Sequence, residues 1–443
     1  MPSPGAGGEY QRRRTGGQMF SNECQVGNAI MQRALGLVVV IALLADAHST
    51  RAEEIREGTR VVVIAEKSEL QVSGKPAGTV PECSIFTVGK VSPPWLWIPS
   101  QQAYLLQRDV IPFTDAIDHY TRQIAANPTA NAYWNRAQIW RMKGELDIAL
   151  ADMNEAIQRS PGVDAWHNNR GLLWRNKGNE EQAISDFNEA IRLNPKIFQA
   201  YSNRGNSWRL KGELDKALAD YTEALRLTPT SERIKVLNSD ERTGGDSSQL
   251  TDSRAETYFA RGYTWEAKGD LDQAMADYNE AIRLNPRNIH AYYSRGASHF
   301  VQGHSKALTD CDKLLELEKG VGEYSAYAII LGNLAARRVD QPAAAAKFLA
   351  SASKLKNEWP QPIVRYLQRE LTADELLQLA VDQDKRTDAE CYIGLDALLD
   401  NRPDEARTRF QWVDDNGTKT FVAYDMARHE LRKLDGSQSK PSP

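Results

Sequence analysis

The 443-residue sequence is poor in the residues that build reactive centres, with only four cysteines and seven histidines. Four cysteines over that length cannot frame a small disulfide-stapled domain. No CxxC pair and no Cys/His grouping at ligand spacing occurs, so no metal is expected, and Cys83, Cys311 and Cys391 read as buried structural thiols. HExxH, GxSxG, P-loop and GxGxxG patterns are all missing. Ser351-Ala-Ser-Lys354 has SxxK spacing, but it lacks companion SDN and KTG signals and lies on an Ala-rich helix, so it reads as coincidence. Nothing nominates a nucleophile, a general base or a cofactor cradle, and a protein that is not an enzyme and carries no cofactor is expected.

An excess of either charge is missing too. The 55 Lys+Arg against 59 Asp+Glu leave −4, which gives no concentrated positive field for nucleic acid as a main partner. Apolar residues at 41% and charged residues at 26% exclude a polytopic membrane protein, a collagen-like chain and a wholly disordered one. At about 150 residues per domain the length predicts two or three domains.

Long hydrophobic runs are scarce as well. The longest, residues 34–45, rises about 18 Å as a helix, short of a bilayer core of about 30 Å. It follows Arg33 and ends in Ala45-Asp46-Ala47, which together describe a secretory signal peptide cleaved after Ala47. Residues 1–47 are therefore expected to be absent from an exported chain of the bacterial periplasm or cell envelope, with no integral membrane span left. An uncleaved amino-terminal anchor stays open as the alternative. Met31 would begin a compact signal, making residues 1–30 an overextended start, and no cysteine follows the run to carry a lipid.

Residues 57–112 read as a small β domain. Arg60–Ala65, Glu69–Val72, Ser84–Val88 and Trp95–Ile98 are short strand candidates, with Gly74, Pro76 and Gly78 as turn residues. Five short strands in so few residues predict a closed barrel. The order of signals, from Val61-Val-Val-Ile64 through Trp95-Leu-Trp-Ile98 to Ala103-Tyr-Leu-Leu106 and Val110-Ile-Pro112, resembles a bacterial SH3-like domain. That resemblance implies binding of cell-wall or other extended peptides through aromatic residues. Trp95 and Trp97 share one strand face, with Tyr104 nearby. The face is either such a binding strip or the barrel core or helix interface, and the small size of the barrel favours the latter.

The rest is governed by a period. Ala137, Gly171 and Gly205 are 34 apart, and Gly262 and Gly296 repeat that interval. Trp140, Trp174, Trp208 and Trp265 follow three residues later, and Gly144, Gly178, Gly212, Gly269 and Gly303 mark a turn. Ala149/Met153/Ala156 and its copies form the second helix, and Pro161, Pro195, Pro229 and Pro286 end units. Apolar residues three and four apart make one helical stripe, small residues permit close helix approach, and Pro stops the second helix. On these residues residues 130–319 are identified as five units of the tetratricopeptide repeat (TPR), with an insertion at 230–254 whose polar centre reads as an exposed loop. Glu323–Lys356 reads as an Ala-rich helical pair, Thr372 and Glu375 as a capping box, and 388–414 as a divergent unit, since Gly394, Ala406 and Phe410 keep the spacings of 12 and 16. The region 320–434 thus reads as a divergent, TPR-like closing segment. Its Trp359-Pro-Gln-Pro stretch, Glu375-Leu-Leu helix and Cys391-Tyr-Ile-Gly394 are similar to periplasmic TPR proteins of the NlpI type, without the lipoprotein cysteine. The expected fold class is mainly α, a TPR solenoid preceded by a small SH3-like barrel.

Two side-chain patterns ride on the repeat. Arg136, Arg170, Arg204, Arg261 and Arg295 recur with Asp152, Asp186, Asp220, Asp277 and Asp310, predicting ion pairs within each unit. His167 occupies a slot that tyrosines fill elsewhere, so packing explains it. The TPR resemblance also implies a concave groove lined by positions 2, 5, 9 and 12 of each first helix. Those positions nominate Trp134, Gln138, Arg141, Asn168, Arg175, Asn206 and Arg209 as an arginine-and-amide half, and Phe259, Tyr263, Tyr293 and Phe300 as an aromatic floor. Arginine forks suit carboxylates and aromatic rings suit apolar side chains. The expected role is an exported adaptor holding a peptide segment of a partner protein; the alternative is a peptidoglycan-binding envelope factor acting through Trp95, Trp97 and Tyr104.

Overall fold

Short β-branched runs separated by turn residues build the first unit. The computed structural model describes residues 54–229 and 247–436, so the expected signal segment lies outside the described residues, as do residues 230–246 of the insertion. The chain divides into two units, one ending at Arg122 and the other beginning at Gln123.

Among its described residues the first unit holds eight short strands rather than the five expected, all paired antiparallel. Strands β1 (Arg60–Val63), β4 (Ile85–Thr87) and β8 (Val110–Pro112) form one sheet in the order β4-β1-β8. Strands β2 (Lys67–Val72), β3 (Lys75–Pro81), β5 (Lys90–Ser92), β6 (Trp95–Ile98) and β7 (Ala103–Leu106) form the other in the order β3-β2-β7-β6-β5. Val61, Val63, Leu70, Leu96, Ile98 and Leu105 from both sheets share one core. Of the three expected turn residues only Gly74 stays in a turn, at φ 74°. Pro76 and Gly78 belong to β3. That strand is the sheet edge, where proline is tolerated. Gly78, at φ 147°, pairs with Leu70 where the register shifts, so the glycine serves a bulge.

A helix α1 (Ala116–Ala126) follows. Five helical pairs succeed it: α2 (Ala130–Met142) with α3 (Leu146–Arg159), α4 (Asp164–Asn176) with α5 (Glu180–Leu193), α6 (Phe198–Leu210) with α7 (Leu214–Leu227), α8 (Ser247–Lys268) with α9 (Leu271–Leu284), and α10 (Ile289–Val301) with α11 (Lys306–Leu317). Between the helices of each pair Gly144, Gly178, Gly212, Gly269 and Gly303 lie at φ 75–88°, a region where a side chain is strained. Helix α8 begins at Ser247, so the end of the expected loop is helical. The insertion does not break the stack. Arg254 donates to the Leu225 and Thr228 carbonyls, and Lys268 pairs with Asp215 on α7.

The 34-residue period is held by two contacts. In each unit the arginine before the small residue grips its aspartate with both fork nitrogens; Arg204 Nε and Nη2 reach Asp220 at 2.8 and 2.7 Å. The same arginine reaches back one unit, Arg170 to Asn154 at 2.8 Å, Arg204 to Asn188 at 2.6 Å and Arg295 to Asn279 at 2.7 Å. Arg261 uses Thr222, across the insertion. The pairs predicted within units are therefore also clamps between neighbours. The second contact is steric. A Cβ placed on Gly171 would lie 2.6 Å from Phe187, and one on Gly205 2.8 Å from Tyr221, each sixteen residues later.

That interval of sixteen exposes a unit that the sequence left as a plain helical pair. Helices α12 (Glu323–Arg338) and α13 (Pro342–Ala350) pack through Gly332 and Phe348, where a Cβ on Gly332 would lie 2.6 Å from the ring. Short helices α14 (Gln361–Leu367) and α15 (Ala373–Leu379) follow; Thr372 and Glu375 cap the latter reciprocally, as its sequence predicts. Helices α16 (Gln383–Leu399) and α17 (Pro403–Asn416) repeat the motif through Gly394 and Phe410, and α18 (Val422–Leu434) closes the chain. In these two units Asp340 (φ 54°) and Asn401 (φ 58°) take the left-handed turn position, which short polar side chains tolerate better than others do. No helix among the described residues is long and apolar enough to cross a membrane.

Candidate functional site

The first helices of the repeats, α2, α4, α6, α8 and α10, carry every residue nominated for the groove. On α2, Arg141 is exposed and donates to Gln138 at 3.2 Å. Trp134 is half-buried against the first repeat's core, its indole N–H buried without a hydrogen-bond partner. Asn168 on α4 is buried and accepts from Asn203 of the next unit at 2.9 Å, and Asn206 accepts from Tyr221 at 2.8 Å. The first of these bonds joins adjacent units, and the second joins the two helices of one unit.

Arg175 and Arg209 form the charged centre. Arg175 is half-buried, and its Nη1 is buried with no hydrogen-bond partner. Burial chiefly holds its proton affinity down; Glu180 opposes that, and the neighbouring Arg209 adds to it. Two guanidinium groups that feel each other, one with an unspent donor, favour an anion between them. Arg209 lies over the Tyr263 ring, 5.2 Å from its centroid.

The aromatic floor is different from the expectation. Phe259 stays half-buried, stacked near Tyr263 at 6.1 Å, but the other three rings are occupied by the chain itself. Tyr263 donates to the Thr420 carbonyl at 2.5 Å. Tyr293 is hydrogen-bonded to the Tyr392 hydroxyl at 2.9 Å. Phe300 is 1% exposed beneath the Arg338 guanidinium, 4.1 Å from the ring centre, and Arg338 is itself paired with Glu430. Helix α18 packs on α10, α16 and α17, so Tyr293, Phe300, Tyr392, Met426 and Leu431 share one core. Tyr263, Tyr293 and Phe300 are thus closing contacts for the C-terminal helices rather than free peptide contacts. Nothing periodic in the repeats signals this, because the covering residues come from outside them.

The closure buries acids. Glu266 on α8 accepts from Tyr278 at 2.5 Å and from Ser298 at 3.1 Å. Burial, only partly offset by those bonds, pushes its carboxyl up to about 7. Asp425 of α18, with Oδ2 buried and unpartnered, is pushed well up by burial and then by Glu266. Cys311 and Cys391 are fully buried and their thiols are pushed up by burial, in keeping with structural roles. Among the described residues no group of three or more His, Cys, Asp or Glu is placed to hold a metal.

In the first unit Leu96 and Ile98 point into the core, so Trp95 and Trp97 lie on the opposite face of β6. A place for this face in the barrel core is therefore wrong; the strand alternates, its aliphatic residues fill the core, and Trp95 and Trp97 are half-buried on the other face. Trp97 pairs across the strands with Tyr104, ring centres 5.0 Å apart.

Family comparisons agree with the repeat. Profiles described as tetratricopeptide or TPR repeats match residues 113–164, 165–197, 198–231 and 267–303. The chain thus carries tetratricopeptide repeats over those residues, with a small antiparallel β region before them. Among solved structures it is similar to the one described as "Functional Characterization of Pseudomonas Aeruginosa pilF" (14% identity, 55% of this chain and 97% of that one, TM-score 0.41). It is also similar to PilW, a "widely conserved type IV pilus biogenesis factor" (17%, 55% and 98%, 0.41). A third is YrrB, "a TPR protein with an unusual peptide-binding site" (16%, 49% and 98%, 0.37). A comparison with curated proteins gives no match.

Proposed function

We propose that the protein is a non-catalytic, exported scaffold that holds an anionic or carboxyl-terminal peptide segment of a partner in the groove of its first three repeats. The carrying observation is Arg175, whose buried Nη1 lacks a partner beside Arg209. An acidic side chain or terminal carboxylate accepts both guanidinium groups there, with Arg141 at the exposed end and Gln138 and Asn206 flanking. Of the four rings nominated for the apolar end of the peptide, Phe259 is the least engaged by the C-terminal helices. The test is binding of acidic and neutral fluorescent peptides to the whole protein and to an R141E/R175E/R209E variant. Binding of acidic peptides that the triple variant loses supports the reading; undiminished binding refutes it. Export is tested by cell fractionation and by sequencing the amino terminus of the native protein, which should begin after Ala47.

A second reading is favoured by one observation, the outward face formed by Trp95, Trp97 and Tyr104. An SH3-like β domain with such a face would take peptidoglycan stem peptides, and the protein would act as a wall-binding envelope factor. Co-sedimentation of the whole protein with purified peptidoglycan, lost in W95A/W97A, would support it; equal sedimentation of both would exclude that face.

A further inference from the structure

The closure of the fourth and fifth repeats leaves a half-enclosed cavity of about 300 Å³ between the groove and the C-terminal helices. Its walls are aromatic. Tyr293, Tyr324 and Tyr327 meet one another with ring centres 5.4 to 6.0 Å apart. Two carboxylates, Asp388 and Glu323, line the same cavity. Asp388 is 2% exposed and accepts from the Tyr327 hydroxyl at 2.7 Å and the Trp359 indole N–H at 3.0 Å, both on Oδ2. It makes no ion pair among the described residues, although buried carboxylates are ordinarily matched by a cation. Burial pushes its carboxyl up to about 6, and the two hydrogen bonds it accepts oppose that rise. Glu323, exposed in the first turn of α12, is likewise without an ion pair.

Ring faces carry negative potential, so the three tyrosines and the two carboxylates favour charge of the same, positive, sign. One cation, Arg209, also lines the cavity. It sits over Tyr263, and the ring contacts from there to Tyr327 run through Phe259, His290 and Tyr324. The positive charge is therefore at one end and the unpaired acids are at the other.

We infer that this cavity is a binding site for an organic cation, an alkylammonium group seated among Tyr293, Tyr324 and Tyr327 with its charge toward Asp388 and Glu323. The volume lies at the lower bound for ligand pockets, about 300–1,000 Å³, enough for a small amine or one lysine side chain. The site goes beyond the arginine-lined groove and does not depend on a peptide binding there.

The test is calorimetric titration of the whole protein with n-butylammonium, Nα-acetyl-lysine methylamide and the neutral Nα-acetyl-norleucine methylamide. At least one cation should bind and the norleucine compound should not. Binding of n-butylammonium identifies a free amine as sufficient, whereas binding of the lysine compound alone identifies a peptide side chain. E323K, at an exposed position that leaves the fold intact by circular dichroism, should weaken cation binding about tenfold or more, because it sets a like charge at the rim. Y324F should retain binding and Y324L should lose most of it, since the ring and not the hydroxyl faces the cation. R141E/R175E should leave it unchanged, which separates this site from the groove. Absence of binding by both cations, equal binding of the norleucine compound, or an E323K titration equal to wild type would overturn the inference.

Discussion

Replacing Gly171 by alanine tests whether contacts across sixteen residues hold each repeat together. Two effects oppose. Alanine in a helix interior is favoured over glycine by about 1 kcal/mol. Its Cβ would lie 2.6 Å from Phe187 Cε1, which is buried with no exposed surface to move into, and overpacking of that kind costs about 1–3 kcal/mol. The net expectation is a destabilisation of up to about 2 kcal/mol. Gly296 is the control. There the nearest atoms lie at 3.3 and 3.4 Å and Cys311 is the residue on the facing helix, so G296A should be neutral or stabilising by up to about 1 kcal/mol. The first repeat has already made the compensated exchange, with Ala137 and Met153 both fully buried in its core. G171A/F187M should therefore be less destabilised than the two single variants added together. Because repeat arrays unfold in parts, native-state hydrogen exchange of α4 and α5 amides is the assay, each 1.4 kcal/mol appearing as about tenfold faster opening. Equal effects of G171A and G296A, or strict additivity in the double variant, would refute the steric account.

The other predictions concern charge and closure. R204M should cost about 2 kcal/mol in denaturant unfolding, more than an exposed pair, because it strands an aspartate 6% exposed and breaks the link to Asn188. Glu266 is raised from 4.5 to about 7, so the folded state binds its proton more tightly than the unfolded state does. That contribution is complete below pH 4.5 and is lost as the pH rises to 7, a change of about 3 kcal/mol. E266Q should lessen the slope of stability across that window, leaving the parts due to Asp388 and Asp425; an unchanged pH profile would show that the Glu266 carboxyl is not held up. L431A, removing a side chain 7% exposed in the C-terminal core, should cost about 2–3 kcal/mol and speed hydrogen exchange in α10 as well as α18. Exchange confined to α18 would show that the closing helix does not stabilise the fifth repeat.

Much of the fold is legible in the sequence because the repeat is written locally. Gly171, Trp174, Gly178, Ala183 and Phe187 fall within one pair of helices, and each has a role decided by neighbours within that pair. The unit at Gly332 and Phe348 carries the same interval but lacks the turn glycine, using Asp340 instead, and so does not stand out. The β domain was legible as strands but not in orientation. The alternation Trp95, Leu96, Trp97, Ile98 fixes two faces, and only the packing of the second sheet decides which one is inside.

The groove divides along the same line. Periodicity alone placed Arg141, Arg175 and Arg209 at equivalent positions of successive helices. That the aromatic half is covered was decided by contacts spanning 99 residues, Tyr293 to Tyr392, and 157 residues, Tyr263 to Thr420. A 34-residue unit determines its own hairpin and its nearest neighbour. It holds no record of a helix that returns from the end of the chain, so what the groove leaves open was settled only when α18 packed against α10.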